Sequence, residues 1–515
     1  MKTPVLLLPV LLLLAACDNT MSIEDEALDF AILPQPKSVI DHGKTVVLSE
    51  ESGLYADDKE LYFMFGTFIP EVKKLTGFEL DMPIRSEEQN DLIFSIDSSM
   101  SMDAYSIEVG HPTQVVAGSY DALLMAKTTL LQLFVKEDDQ LKLPMVSIYD
   151  QPDVKYRGLL VDLARQWHSL ETIEKLVDLA AFYKINYLQL HFTDYQSYTL
   201  PSTAFPELST PGRHYSVEEL KDLNFYAERR GVTIIPEIDV PGHSSPFVKM
   251  YPEIFAIQDT ASNPWIINMG NEAVYEALDQ IIGEALSIFK TTPYFHIGGD
   301  EAIFNKVMDD PKVQAYMREK GLEEDVHELY RHFLVRMNEI VKKHGKQMCV
   351  WEGFGPEGEI EIPKDILVFE FETNRYLPDQ LIEDGYTVVN TSWKPLYVVN
   401  QKKWEPKTIY EWNMWRWENW WDKAPSFKPI QVDQSDLVIG AQMCAWEQKE
   451  EVEIPSLRQR LPAFVERIWN TEEQISFEEW ERRIQVQDAK LSKLINDTRQ
   501  DSLLEGHNFT KDMLK

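Results

Sequence analysis

The sequence predicts an α/β protein: a (β/α)8 TIM barrel preceded by a small α+β accessory domain. Three observations carry that prediction. From Tyr156 to about Trp469, short β-branched and aromatic runs alternate with helical segments, the pattern of a parallel sheet with helical crossovers. Residues with chemical use recur at the ends of those runs: Asp162, His191, Asp194, Asp239, His243, Asp300, Glu301, Trp351, Trp393 and Trp446. A barrel gathers such strand ends on one face. Before about Gln151, strands and helices occur without that alternation, which suits a separate α+β unit.

With 515 residues the chain has room for more than one domain, and 44% hydrophobic with 26% charged residues is ordinary for a globular protein. Its 85 acidic against 50 basic residues give a formal net charge of -35. That balance argues against a nucleic-acid partner, whose phosphates would be repelled, and gives no reason to expect a highly anionic substrate. The 3 cysteines, Cys17, Cys349 and Cys444, form neither a disulfide framework nor a zinc pattern.

At the N-terminus Lys2 precedes an apolar run, Val5–Leu14, too short to span a bilayer as a helix. The run ends in Leu14-Ala15-Ala16-Cys17, which resembles the lipobox of bacterial lipoproteins. Residues 1–17 are therefore expected to be a lipoprotein signal peptide, with lipidation at Cys17. An ordinary secretory signal cleaved after the alanines is the competing reading. Both imply export, and the first implies a cell-envelope lipoprotein on a periplasmic or surface face. No later stretch is long and apolar enough for a transmembrane helix, so membrane contact is expected only through the anchor. Residues 18–31 are polar and acidic and suit a linker.

The accessory domain, 32–151, begins at Ile32-Leu33-Pro34-Gln35-Pro36. Glu60–Leu75 is predicted as a helix stopped by Gly77, Asp91–Asp97, Tyr105–Val109 and Gln114–Ala117 as strands, and Tyr120–Val135 as an amphipathic helix. The barrel domain, 152–475, opens with a strand over Arg157–Ala164, and Ser169 caps a helix to about Tyr183. Tyr187–Phe192 is the second strand. Ser216 with Glu219 forms a capping box for a helix stopped by Gly231, and Val232–Ile235 is the third strand. A helix around Glu272–Phe289 leads to the fourth. A helix over Asp325–His344 precedes strands at Gln347–Val350, Ile366–Phe369, Tyr386–Asn390 and Leu437–Ala441, and Pro455–Trp469 closes as a helix. Residues 476–515 are a charged helical tail, expected outside the barrel. There is no dinucleotide fingerprint and no P-loop, so no cofactor is expected.

The fourth strand is the centre. Tyr294–Ala302 reads Y-F-H-I-G-G-D-E-A: a short buried strand, a double-glycine turn and two adjacent carboxylates. Neighbouring residues leaving a strand point apart. Asp300 and Glu301 can therefore reach two different atoms of one substrate, which suits general acid/base chemistry. Alone, the stretch equally suits a plain turn whose acids cap the next helix. His191, Asp194, Asp239, His243 and His296 are metal-ligand types, but no H-E-x-x-H or comparable spacing is present and no metal is expected. Among 13 tryptophans, Trp404, Trp412, Trp415, Trp417, Trp420 and Trp421 crowd one segment. Filling the gap between barrel and outer helices is the favoured use of that cluster, whereas Trp351, Trp393 and Trp446, near strand ends, are assigned to a sugar-stacking pocket.

Taken together, four motifs resemble the family-20 glycoside hydrolases, the β-N-acetylhexosaminidases. They are Tyr156-Arg157-Gly158 with Asp162, His191-Phe192-Thr193-Asp194, Ile235-Pro236-Glu237-Ile238-Asp239 with Pro241-Gly242-His243, and His296-Ile297-Gly298-Gly299-Asp300-Glu301. The resemblance runs from about Leu33 to about Trp469. It implies a retaining exo-glycosidase that removes terminal β-linked N-acetylhexosamine (GlcNAc or GalNAc) by substrate assistance, the 2-acetamido oxygen attacking the anomeric carbon to form an oxazolinium ion. By that resemblance Glu301 is the general acid and then the base, with a raised pKa to which the Asp300 charge contributes. Asp300 holds the acetamido N–H and stabilises the oxazolinium charge. Arg157 binds sugar hydroxyls at the pocket floor, Asp194 and His243 support the acid/base, Tyr397 bonds the acetamido oxygen, and Trp351 and Trp446 wall the acetamido group.

The sequence also departs from the family pattern. Trp446-Glu447-Gln448 puts glutamine at the spacing of a usual Trp-x-Glu, so Glu447 and Gln448 are both candidates for sugar hydroxyls. The common Tyr-x-Asp reads Tyr397-Val398-Val399, the pocket tryptophan usual near Glu370-Phe371 is missing, and Thr199 stands near the place of an arginine. The expected partner is a glycan ending in N-acetylhexosamine. Two alternatives are a specialist for sulfated, branched or β-1,6-linked GlcNAc glycans, and a non-catalytic glycan-binding lipoprotein.

Overall fold

The computed structural model describes residues 21–49, 52–78, 91–137, 140–258, 263–400, 402–420, 426–472 and 474–501. The signal segment with Cys17 lies outside the described residues, as does Trp421.

The accessory domain is built on a mixed sheet in the order Met21–Glu24, Ser38–Leu48, Gln140–Asp150, Tyr105–Glu108, Thr113–Ala117, Leu92–Ile96, Leu54–Ala56. Residues 21–24, expected in a linker, instead form its edge, antiparallel to Thr45–Leu48. Of the two longest strands, Ser38–Leu48 is buried only over its last four residues and gives little alternating signal, whereas Gln140–Asp150 is mostly buried. The helix Tyr62–Thr76 ends on Gly77 at φ 69°, as the glycine predicts. The helix Tyr120–Leu133 is not amphipathic in its setting: every residue from Ala122 to Leu133 is buried. Its polar groups are satisfied internally. Lys127 pairs with Glu71 at 2.7 Å, and the Gln132 amide bonds Leu33 N–H, Leu33 C=O and Phe182 C=O.

Eight parallel strands form the barrel: β1 Tyr156–Asp162, β2 Tyr187–His191, β3 Thr233–Glu237, β4 Tyr294–His296, β5 Gln347–Trp351, β6 Leu367–Glu370, β7 Thr387–Asn390 and β8 Val438–Trp446. Each bonds the next, and β8 bonds both β7 and β1, which closes the ring. Ser169 and the Ser216–Glu219 box cap their helices as predicted. Among the described residues no helix separates β5 from β6, and the β7–β8 connection is a long excursion through Trp393–Leu396, Tyr397–Val399 and Pro406–Tyr410. At the N-terminal end of the barrel Tyr156 stacks on Tyr187 at 4.7 Å and Tyr294 packs against Tyr187 at 5.5 Å. Above them lie Leu160, Ile235, Leu367, Val389 and two free buried thiols, Cys349 and Cys444.

The two domains meet at Asp150, which is fully buried. Its carboxylate accepts from Trp469 Nε1 (2.9 Å), Lys184 Nζ (3.3 Å) and Tyr105 Oη. The tail helix Phe477–Leu494 is a clasp, since Gln487 Nε2 donates to the Ala31 carbonyl and Lys490 Nζ to the Gln132 carbonyl of the accessory domain. Among the described residues no helix is long and apolar enough to cross a membrane.

Candidate active site

The acidic pair is placed by a turn that tolerates no side chain. Gly298 and Gly299 have φ of 69° and 96°. A Cβ on Gly298 would lie 1.9 Å from Asp239 Oδ1, and one on Gly299 would lie 2.7 Å from Val350 Cγ2. Asp239 Oδ1 accepts the Gly299 N–H at 3.0 Å, and Tyr330 Oη donates to Gly299 C=O. The chain then enters Glu301 at φ 47°, a left-handed backbone uncommon for glutamate. Asp300 stays largely covered, with side-chain exposure of 15%, and Glu301 projects further, at 53%. Asp300 Oδ1 is buried with no hydrogen-bond partner.

Behind the pair stands His243, itself left-handed at φ 49°. Its Nδ1 is 3.2 Å from Asp194 Oδ2, and its Nε2 is 3.6 Å from Glu301 Oε2 and 3.9 Å from Asp300 Oδ2. Burial opposes the charge on His243, but Asp239, Asp194 and Glu301 outweigh it and hold its pKa well above the usual imidazole range. The Glu301 carboxyl is correspondingly lowered, chiefly by the neighbouring His243 imidazole, against the opposing effect of burial. This corrects the expectation of a raised Glu301 pKa: in the open site a cation, not Asp300, is its dominant neighbour. Burial, then the Asp300 charge, push Asp239 well above the carboxylate range.

The predicted arginine is misplaced. Arg157 lies near the N-terminal start of β1, away from the acidic pair. Its Nε and Nη1 donate to Lys184 C=O and Val154 C=O at 2.9 Å each, its Nη2 contacts Met125 Sδ, and the guanidinium lies over Trp469. It is buried in the domain junction, and its pKa is pushed down to about 10 by that burial. Strand polarity is the reason: residues at a strand's start face the opposite end of the barrel from residues at its finish. The arginine in the site is Arg165, just past β1. It pairs with Asp162 at 3.0 Å and Asp194 at 2.7 Å, lies 3.9 Å from Glu447, and stacks over Trp446 at 5.1 Å. Its position three residues after a strand-end aspartate was the available signal.

One cavity contains Arg165, Asp300, Glu301, Phe371, Trp393, Tyr397, Trp446 and Glu447. Tyr397 and Phe371 are coplanar within 5° at 6.3 Å, with Trp393 edge-on to both and Trp446 6.2 Å from Tyr397. Phe371 occupies wall space where a tryptophan was noted as missing. Glu447, at φ 57°, reaches the cavity, and Gln448 does not: its side chain is buried and its Nε2 donates to Val398 and Trp446 carbonyls. Trp351 lies one layer deeper than expected, 1% exposed, 5.9 Å from both Phe371 and Trp446, and supports the wall. The tryptophan-rich segment divides. Trp404 and Trp420 line the cavity with Lys402, whereas Trp412 and Trp417 are buried in the core.

Beneath the site Glu237 is fully buried and central. It accepts from Trp351 Nε1 (2.7 Å) and Gln189 Nε2 (2.9 Å), and lies 2.9 Å from His191 Nδ1 and 3.4 Å from His296 Nδ1. Burial would raise its pKa, but the two imidazoles outweigh burial and hold it well below the usual range. His191 Nε2 in turn meets Asp194 at 3.1 Å. Charges thus alternate from Glu237 through His191, Asp194 and His243 to Glu301. Two triplets among the described residues, His191–Glu237–Asp239 and Asp239–His243–Asp300, bring ligand atoms within 4.8 Å of one another. The polar partners just described already engage Glu237, His191 and His243.

Residues 154–472 match the model of the glycosyl hydrolase family 20 catalytic domain, and 29–151 match that family's domain 2. The chain belongs to glycosyl hydrolase family 20. It is 31% identical over 311 residues to a β-hexosaminidase of Vibrio furnissii, covering 55% of this chain and 50% of the relative. It is 26% identical over 351 residues to a β-hexosaminidase of Porphyromonas gingivalis, covering 62% and 45%. The chain thus spans about half the length of these relatives. The crystal structure of a β-N-acetylhexosaminidase from Bacteroides fragilis superposes with a TM-score of 0.79 at 21% identity, covering 93% of this chain and 99% of that one, a likeness of fold.

Proposed function

We propose that the protein is a retaining exo-β-N-acetylhexosaminidase that removes terminal β-linked GlcNAc or GalNAc from glycans. The observation that carries this reading is that Asp300, whose Oδ1 has no hydrogen-bond partner, and Glu301 line one aromatic-walled cavity. Such an oxygen suits an acetamido N–H, and holding that group orients its carbonyl oxygen for attack on the anomeric carbon. Asp300 then faces the positive charge of the oxazolinium ion as it develops. Tyr397, Trp393 and Trp446 enclose the acetamido group, Arg165 and Glu447 offer polar contacts to ring hydroxyls, and Glu301 protonates the leaving oxygen. A sugar filling the cavity displaces water from Glu301. Desolvation then raises its pKa against His243 and favours the proton it must donate. In the second step Glu301 takes a proton from the water that opens the oxazolinium ring.

The test is hydrolysis of an aryl β-N-acetylglucosaminide beside the matching aryl β-glucoside. Cleavage of the acetamido sugar alone is expected, and equal cleavage of both refutes substrate assistance. Glu301→Gln and Asp300→Asn should each lower kcat by about 10²-fold or more. Full activity in either variant refutes its role.

We further propose that the protein is exported and anchored by a lipid on Cys17, as a cell-envelope lipoprotein. The lipobox-like Leu14-Ala15-Ala16-Cys17 supports this. Mass spectrometry of the mature N-terminus should find an acylated Cys17, and an unmodified start elsewhere rejects the anchor.

A further inference from the structure

Beside the acid/base pair lies an aromatic ledge that the catalytic scheme does not use. Tyr195 and Trp265 stack with centroids 4.3 Å apart and planes at 30°, yet remain 40% and 41% exposed. Rings of this size are mostly buried, and stacking two of them in water keeps apolar area exposed unless a ligand covers it. Ile303, two residues after Glu301, is 49% exposed.

The ledge is fixed to the catalytic groups by short links. Tyr195 follows Asp194, whose Oδ1 accepts the Tyr195 N–H at 2.5 Å and whose Oδ2 holds His243. Trp265 C=O accepts the N–H of Ser244, the residue after His243, at 3.3 Å. Asn263 Nδ2 donates to Ile303 C=O at 2.6 Å and Asn305 C=O at 3.0 Å, tying the Trp265 segment to the loop that carries Glu301. Lys249 Nζ sits 4.3 Å from the Tyr195 ring centroid.

We infer that Tyr195 and Trp265 form a leaving-group subsite that holds the sugar on the reducing side of the scissile bond. The inference rests on the hydrolase reading above. The acid must face the glycosidic oxygen, so the sugar released with that oxygen lies beyond Glu301, outside the pocket that encloses the acetamido group. A ledge tied to His243 and to the Glu301 loop stands beside that path. Its chemistry fits a pyranose. Trp265 takes the C–H face, Tyr195 stacks behind it, and the Lys249 ammonium over the Tyr195 ring offers donors to hydroxyls. The substrate class implied is an oligosaccharide whose N-acetylhexosamine is joined to another sugar, rather than to a small or flexible aglycone.

The full-length enzyme and its Trp265→Ala and Trp265→Phe variants should be compared on N,N′-diacetylchitobiose and on methyl β-N-acetylglucosaminide. The ratio of kcat/KM values, disaccharide over methyl glycoside, is expected to fall about tenfold in Trp265→Ala and to recover in Trp265→Phe. A ratio that stays constant, including a parallel loss on both substrates, overturns the subsite. Should Trp265→Ala not fold, Tyr195→Ala reads the same ratio with the same two outcomes. A wild-type enzyme that cleaves neither substrate overturns the hydrolase reading and the subsite with it. One that cleaves both, with the ratio unmoved in the variants, overturns the subsite alone.

Discussion

Replacing His243 with asparagine isolates the charge beside Glu301, the proposed acid/base. Asparagine tolerates the left-handed backbone that His243 adopts at φ 49°, so the turn is retained while the imidazolium is lost. His243 Nε2 lies 3.6 Å from Glu301 Oε2, and unit charges at that distance interact by roughly 4–5 kcal/mol at an effective dielectric constant of about 20. Because the Glu301 side chain is 53% exposed, water screening reduces this to about 1–2 kcal/mol, or about one pKa unit. The sign follows from the charge. A neighbouring cation favours ionised Glu301, so without it Glu301 keeps its proton to higher pH. The alkaline limb of the pH profile of kcat/KM, which reports the free enzyme's acid, should therefore move up by about one unit. The rate at the optimum should fall by about 10²-fold as the support behind Glu301 is lost. The assay is release of an aryl leaving group from an aryl β-N-acetylglucosaminide across the pH range. A limb that stays in place or moves down refutes the electrostatic assignment, whatever happens to the rate.

Exchanging each arginine for methionine separates the two assignments. Arg165→Met removes the guanidinium that Asp162 and Asp194 share and should cost about 10²-fold in kcat/KM, whereas Arg157→Met should lower Tm by several degrees with kcat/KM little changed; the reverse pattern would restore Arg157 to the pocket. Glu237→Gln strands His191 and His296 and should lower unfolding stability by about 3–5 kcal/mol in urea titration, a reading contradicted by a variant as stable as wild type. Burial opposes ionisation of Asp194 and Glu237, but their imidazole and arginine partners lower both pKa values, so their stabilisation is present above about pH 4, the unfolded carboxylate range, and fades as pH falls. The urea midpoint should drop below about pH 4, and more gently in Asp194→Asn than in wild type. Gly298→Ala drives a methyl into Asp239, and should destabilise by about 2 kcal/mol or more and disorder the acidic pair, measured as joint loss of Tm and kcat; normal values of both would refute the turn argument.

Much of the barrel was legible because its signals are local. Strand runs, Ser169, the Ser216–Glu219 box and the Gly-Gly turn each act within a few residues, and the structure reproduces them. Asp300, Glu301, His243, Asp194, Trp393 and Trp446, named from their places at strand ends, and Tyr397, named from the resemblance, lie in or beside one cavity. The misses share a cause. Met21–Glu24 looks like linker until its ladder partner, more than twenty residues away, is present. Tyr120–Leu133 scans as a surface helix because nothing in its own sequence records that a second domain covers its remaining face.

By itself the sequence determined the fold class, the order of strands and helices, and the pairing of Asp300 with Glu301 after a glycine turn. These depend on propensity, period and adjacency along the chain. Tertiary structure decided which arginine enters the pocket, which of Glu447 and Gln448 faces it, how deep Trp351 lies, and which way the pKa of Glu301 moves. Those outcomes depend on where side chains end in space. One residue of phase turns a side chain from cavity to core, as at Glu447 and Gln448, and a few ångströms make His243 rather than Asp300 the charge that Glu301 feels most.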